Sequence, residues 1–487
     1  MKYVLFAFMV ALAGSAVAQA KQRYVPESLY AYERVGFDNG FVAILNPRQG
    51  AAYVSMRLVV ATGSGDFDCT DRELPHLVEH LTFSGTSQYT ETELEELVTS
   101  LGGQWNAVTA WDKTIYEMDI FSGNANQGVE ILYQLFTDTD VSEEDLNVAR
   151  DVVYLEAGGA PNALRQFLHQ TGIMEGSIDK AALQYIPESK AFCERIPTTD
   201  HIEVRDIDRY KSKYHVPRNM MLIAVGDFDA GRLKTVLKNT FGLLPDVAPP
   251  KRQQQRSRDL LQRKRIEYNT RLDPVLSSTT YLSLDFEVPL DYGPERIASN
   301  LLANYLGEKL FEELRVKRGL AYAPGASVTD VGEFATLSLE AEVDNGNADT
   351  ALDVIEGIVR RTGEEGIAKE ELERLKQSTL YAHTQLFEGN NKLAELYARF
   401  SHVLFDGRPL PDFQADIEAI DAEHMRKFAA ERLRTDRALV FVQAPTIGYG
   451  QLTAMIVIVA CLIGWFGYRR YRRSRNGVEP HQGSDGA

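Results

Sequence analysis

The amino-acid sequence predicts an α+β protein: two similar domains, each an antiparallel sheet packed with helices, joined by a linker and followed by one C-terminal transmembrane helix. Three observations predict it. Both halves of the chain pass through β-branched strands, amphipathic helices, further strands and further helices in the same coarse order. Between them the run VAPPKRQQQRSRDLLQRK, residues 247–264, is polar and basic with paired prolines, the composition of an exposed linker. Near the end, Leu452–Tyr468 carries no charged residue. With its apolar flank back to Ile447 it reaches the roughly 20 residues a helix needs to cross a hydrocarbon core.

The chain has 487 residues, too many for one compact core, and its 44% hydrophobic and 25% charged content excludes a disordered, collagenous or multi-span chain. A net charge of −17 argues against a general nucleic-acid binder, which needs a basic footprint for phosphates. Three cysteines exclude a disulfide-built mini-scaffold and an all-cysteine metal cluster.

In chain order, residues 1–20 place one lysine before an apolar run and then small residues at Ala16, Ala18 and Ala20, the pattern of a signal peptide. An N-terminal anchor would share the apolar run, but the small-residue spacing favours a cleaved leader. The first domain, 21–246, starts with strands over Tyr32–Val60, where Asn39-Gly40 reads as a hairpin turn. A helix over Thr90–Leu101 and strands over Trp105–Phe121 follow. After the linker the second domain, 265–446, repeats the scheme, with strands over Arg265–Val288, a helix over Ile297–Lys317 and strands over Gly325–Val343. Such alternation also fits a parallel α/β sheet; the Asn-Gly turn favours antiparallel hairpins. The span is expected over 447–468 and a basic tail over 469–487, where Arg469, Arg470, Arg472, Arg473 and Arg475 mark the cytoplasmic side. The body is then periplasmic and held in the inner membrane. Cys69 and Cys193 would face an oxidising compartment there, and sequence leaves open whether they pair.

The strongest chemical signal is His76-Leu77-Val78-Glu79-His80. On a helix, positions four apart share a face, so both imidazoles can point at one ion. Two neutral imidazoles suit zinc, and an adjacent carboxylate, Glu79, can take a proton from water. Pro75 is tolerated in the first turn. H-x-x-E-H is the inverzincin order. A catalytic site of this kind needs a third protein ligand, which spacing alone does not select among many downstream acids. The other histidines lack ligand spacing, and there is no G-x-x-x-x-G-K or G-x-S-x-G to support nucleotide or serine-hydrolase chemistry.

Three stretches in combination, HLVEHLTFSGT (His76–Thr86), GGQWNAVTAWDKTIY (Gly102–Tyr116) and NVARDVVYLE (Asn147–Glu156), resemble the pitrilysin/insulinase family of zinc peptidases. The branch resembled is the one that holds mitochondrial processing peptidase and bacterial single-chain homologues. The resemblance runs from about Tyr32 to Val442 and is strengthened by Met220–Asp229 and Leu314–Tyr322. It implies that Glu156 is the third zinc ligand, on a helix whose start Ser142, Glu143, Glu144 and Asp145 cap. It implies that Asn106 and Ala107 lie on an edge strand that pairs with extended substrate, and that Arg315 and Tyr322 reach the substrate near the metal. It departs at Ala149, where the family usually has a glutamate two helical turns before the third ligand.

The expectation is a membrane-anchored zinc endopeptidase for unfolded peptides, with one Zn²⁺ per chain held by His76, His80 and Glu156 and with Glu79 as general base. Family sites are enclosed by four homologous domains, twice what this chain supplies, which implies a homodimer or a heterodimer with a related subunit. The alternative is a non-catalytic peptide-binding or scaffold subunit.

Overall fold

The structure, a computed structural model, describes residues 23–476 apart from 140, 172–181, 186–188, 190, 252–264, 271–275 and 446. The expected signal peptide, most of the expected linker and the end of the basic tail lie outside the described residues.

Two α+β units follow one another. The first sheet contains β1 (Glu33–Gly36), β2 (Val42–Pro47), β3 (Tyr53–Val60), β4 (Gln104–Thr109), β5 (Thr114–Phe121) and β6 (Met220–Gly226). Its order is β1-β2-β6-β3-β5-β4. The second half supplies β7 (Ile266–Thr270), β8 (Leu276–Ser277), β9 (Thr279–Val288), β10 (Gly325–Val331), β11 (Phe334–Asp344) and β12 (Leu439–Gln443). Its main sheet is ordered β10-β11-β9-β12-β7. Counted from the β4 and β10 edges, five strands of each sheet follow the same path, so the repeat seen in the coarse pattern is a repeat of topology.

The sheets are mixed, which corrects the expected antiparallel pairing: β2 and β6 run parallel, as do β7 and β12. The Asn39-Gly40 turn does close an antiparallel hairpin between β1 and β2, with Gly40 at φ +86°. A turn dictates only its own two strands. The parallel partners return after a long helical excursion, and a crossover of that length can insert a strand in either direction.

Helices α1 (Leu74–Thr82), α2 (Glu91–Ser100), α3 (Ala125–Thr137), α4 (Glu143–Glu156), α5 (Ala163–Thr171), α6 (Val204–Tyr214) and α7 (Ala230–Asn239) belong to the first half. Val129 and Leu132 of α3 and Leu233 and Leu237 of α7 bury one sheet face, against Met56, Leu58 and Leu222. The second half contributes α8 (Pro294–Leu310), α9 (Ala348–Glu365), α10 (Lys369–Leu386) and α11 (Asn390–Arg399). α11 lies on the opposite face of the first sheet, against β3 and β6. Its Leu393, Ala394 and Tyr397 share a core with Ile44, Val59 and Ile223. That explains why β2, β3 and β6 are buried along almost their whole length: both faces are covered. Tyr397 Oη donates to Leu29 O (2.6 Å) and accepts from Asn46 Nδ2 (2.7 Å), so the halves are joined by polar contacts as well as apolar ones.

After β12, Ile447 and Gly448, expected inside the span, instead form a two-residue strand parallel to β8. The last helix runs over Tyr449–Asn476, and within it Tyr449–Arg472 is long and apolar enough to cross a membrane.

Candidate metal centre

α1 opens at Glu73, whose carbonyl accepts the Leu77 amide (2.9 Å), and Pro75 sits in the first turn where no amide is needed. Leu77, Val78 and Leu81 bury one face of α1 against Leu146, Ala149 and Val153 of α4 and Ile207 and Tyr210 of α6. The 3.6-residue period then puts His76 and His80 together on a half-buried face. α4 starts at a capping box: Ser142 Oγ accepts the Asp145 amide (3.2 Å) while the Asp145 carboxylate accepts the Ser142 amide (2.9 Å). It ends at Glu156, which arrives opposite the two imidazoles.

Glu156 Oε2 is 3.1 Å from His76 Nε2 and 3.7 Å from His80 Nε2, and the two Nε2 atoms are 3.2 Å apart. A tetrahedral zinc with ligands at about 2.0–2.2 Å needs donors about 3.3–3.6 Å from one another. The three separations, 3.1, 3.2 and 3.7 Å, bracket that range and lie within about 0.2 Å of it, and nitrogen, nitrogen and carboxylate oxygen are the donor types zinc takes, so the residues present fit the ion.

Glu79 is 8% exposed and turns from α1 toward β4, where Thr109 Oγ1 donates to its Oε2 (2.5 Å). On the other side of His76, Nδ1 lies 3.2 Å from Glu73 Oε2. Burial lowers the His76 pKa, but the Glu73 hydrogen bond and the charges of Glu79, Glu73 and Glu156 outweigh it and raise it overall. Glu73 and Thr109 were not singled out from sequence. A carboxylate three residues before a helical histidine was the readable sign for Glu73. For Thr109 it was strand parity with Ala107, two residues earlier.

Among the described residues β4 is the terminal strand of its sheet and pairs with β5 alone, so Asn106 and Ala107 lie on an edge. Asn106 is exposed and Ala107 faces inward. Arg315 lies in a π-helical turn, Phe311–Val316, that extends α8. Its guanidinium stacks over the Tyr322 ring, 4.4 Å from the centroid, and Nη1 donates to Tyr322 O (2.5 Å). Tyr322 is 80% exposed. Among the described residues, neither side chain makes a hydrogen bond or ion pair to His76, Glu79, His80 or Glu156. The structure thus brings together the three donors and Glu79, and leaves Arg315 and Tyr322 as a separate pair. Ala149 is 5% exposed, packed in the apolar layer beneath α1.

Residues 42–183 match the family model described as insulinase (peptidase family M16), and residues 201–379 match that of the peptidase M16 inactive domain. The chain belongs to the insulinase, or M16, peptidase family. His76, Glu79, His80 and Glu156 all fall within the first match. Among M16 relatives, an uncharacterised zinc protease of Bacillus subtilis, YmxG, is 20% identical over 84% of this chain and 98% of its own length. The beta subunit of mitochondrial-processing peptidase from Blastocladiella emersonii is 24% identical over 83% of this chain and 86% of its own. The fold is that of the periplasmic protease PqqL from Escherichia coli, with a TM-score of 0.69 at 15% identity, covering 85% of this chain and 47% of that one.

Proposed function

We propose that this M16 protein is a zinc-dependent endopeptidase for unfolded peptides or protein segments, anchored by its last helix with the catalytic body in the periplasm. The observation that carries the reading is the triangle of His76, His80 and Glu156 at zinc spacing with a buried carboxylate, Glu79, on the same helix. When bound, zinc would act as a Lewis acid toward water and the peptide carbonyl. Glu79 takes the proton from the attacking water and delivers it to the leaving amine. Thr109 holds Glu79 in place from the end of β4, so one strand supports the base and offers its free edge, at Asn106 and Ala107, to extended substrate backbone.

Arg315 and Tyr322 are assigned to the oxyanion and substrate of a second copy or a related subunit. The lack of any hydrogen bond or ion pair from them to the donor triangle among the described residues supports this, as does the length of PqqL, about twice that covered here. Relatives named as zinc proteases support the metal, and an apolar helix over Tyr449–Arg472 supports the anchor.

Glu79→Gln tests the reading. The variant should keep one zinc per chain by elemental analysis and lose about 10²–10⁴-fold in hydrolysis of an unstructured peptide. Wild type and variant with equal turnover would sink it.

A further inference from the structure

Resting on that reading, we propose that Glu73 is the positioning residue of His76: its carboxylate holds the imidazole through Nδ1 and so aims Nε2 into the donor triangle. The ring has two edges and the structure occupies both, with Glu73 Oε2 3.2 Å from Nδ1, and Glu156 Oε2 and His80 Nε2 at 3.1 and 3.2 Å from Nε2. A histidine that binds metal through one nitrogen must carry its proton on the other, and an acceptor there selects that tautomer and fixes the ring plane.

Among the described residues, the acids closest to the site are engaged elsewhere. Glu79 is turned to Thr109, Glu156 faces the opposite edge, and Asp71 is bound to His201 Nε2 at 2.9 Å. On the facing helix, the position two turns before Glu156 is Ala149, buried in the apolar layer with Leu77 and Val78, and supplies no carboxylate there.

Helix capping does not account for Glu73. It occupies the N-cap of α1, where Ser, Thr, Asp or Asn are preferred, and its side chain makes no capping hydrogen bond. Its carboxylate is turned to the histidine instead. Among the described residues His80 Nδ1 has no corresponding partner, so the support is confined to one of the two imidazoles.

The experiment uses the full chain in detergent, with zinc affinity measured by chelator competition and the melting temperature of the zinc-free form recorded alongside. Glu73→Ala should bind zinc about 10–100-fold more weakly. Glu73→Gln keeps an acceptor for Nδ1 and should retain more affinity than Glu73→Ala. Glu73→Ser supplies a better cap that cannot reach the ring. It should match Glu73→Ala in affinity while its zinc-free melting temperature is held or raised. Glu73→Ala or Glu73→Ser binding zinc as wild type does would overturn the proposal and leave the peptidase reading standing. A wild-type chain that takes no zinc would overturn the peptidase reading itself.

Discussion

Thr109 and Glu79 show how much of this site depends on single contacts between elements. In the proposed mechanism Glu79 works as a base only if its oxygen sits where the proton will be, and the 2.5 Å hydrogen bond from Thr109 holds its carboxylate. Thr109→Val keeps the volume and removes the donor. It should lower kcat about tenfold with KM and zinc affinity unchanged, the loss of roughly one hydrogen bond to a charged group. Thr109→Ser should restore most of the rate. His215 is a second residue with a definite consequence. Its ring packs against Tyr116, Phe136 and Tyr210, and both nitrogens are sealed from solvent without a hydrogen-bond partner among the described residues. Burial, aided by the charge of Lys211, pushes its pKa down to about 3 from 6.5. The unfolded chain therefore binds the extra proton between those values. The stabilisation is complete above pH 6.5 and is lost as pH falls toward 3, at about 1.4 kcal/mol per pH unit. His215→Phe should flatten the acid side of a melting-temperature profile by one proton's worth; an unchanged slope would refute the assignment. From sequence, spacing alone exposed His76, Glu79 and His80, because a helix converts it into a shared face. Glu156 came only through the resemblance, and Thr109 and Glu73 not at all, since hydrogen bonds across elements leave no period.

The element scale is set by what ties α1 in place. Cys69, five residues before α1, is disulfide-bonded to Cys193, across a sequence separation of 124. Nearby, Arg72 donates to Ala191 O (3.0 Å) and stacks over Trp111, the tip of the β4–β5 hairpin. Helix α1, the β4–β5 hairpin and the segment around Cys193 are thus bound into one unit. Replacing both cysteines by serine should lower unfolding free energy by about 2–5 kcal/mol, because closing so long a loop restricts the unfolded chain. Urea unfolding with and without reductant measures it, and reductant should have no effect on the double variant. The strand and helix order was legible because alternation and helical periodicity are local. The parallel β2–β6 and β7–β12 pairs were not, and neither was the cysteine pairing, because both join residues far apart in the chain.

At the scale of the whole molecule, two topologically equivalent sheets share a core through α11, yet the chemistry is divided unequally between them. The donor triangle belongs to the first half, while the second presents Arg315 on a π-helical turn with the exposed Tyr322 beneath its guanidinium, and among the described residues neither is hydrogen-bonded or ion-paired to that triangle. If a second copy brings its Arg315 and Tyr322 to the first copy's metal helix, two differently damaged chains can complement each other. In a mixed dimer of Glu79→Gln and Arg315→Ala chains, one site carries both lesions and the other carries neither. Each variant alone should be nearly inactive. Random pairing makes half of the dimers mixed, each with one intact site, so an equimolar mixture should recover about a quarter of wild-type peptide hydrolysis. Recovery should follow subunit exchange and vanish on dilution below the dimer dissociation constant. A mixture no more active than its components would mean that Arg315 acts within its own chain, and the division of labour between copies would be wrong.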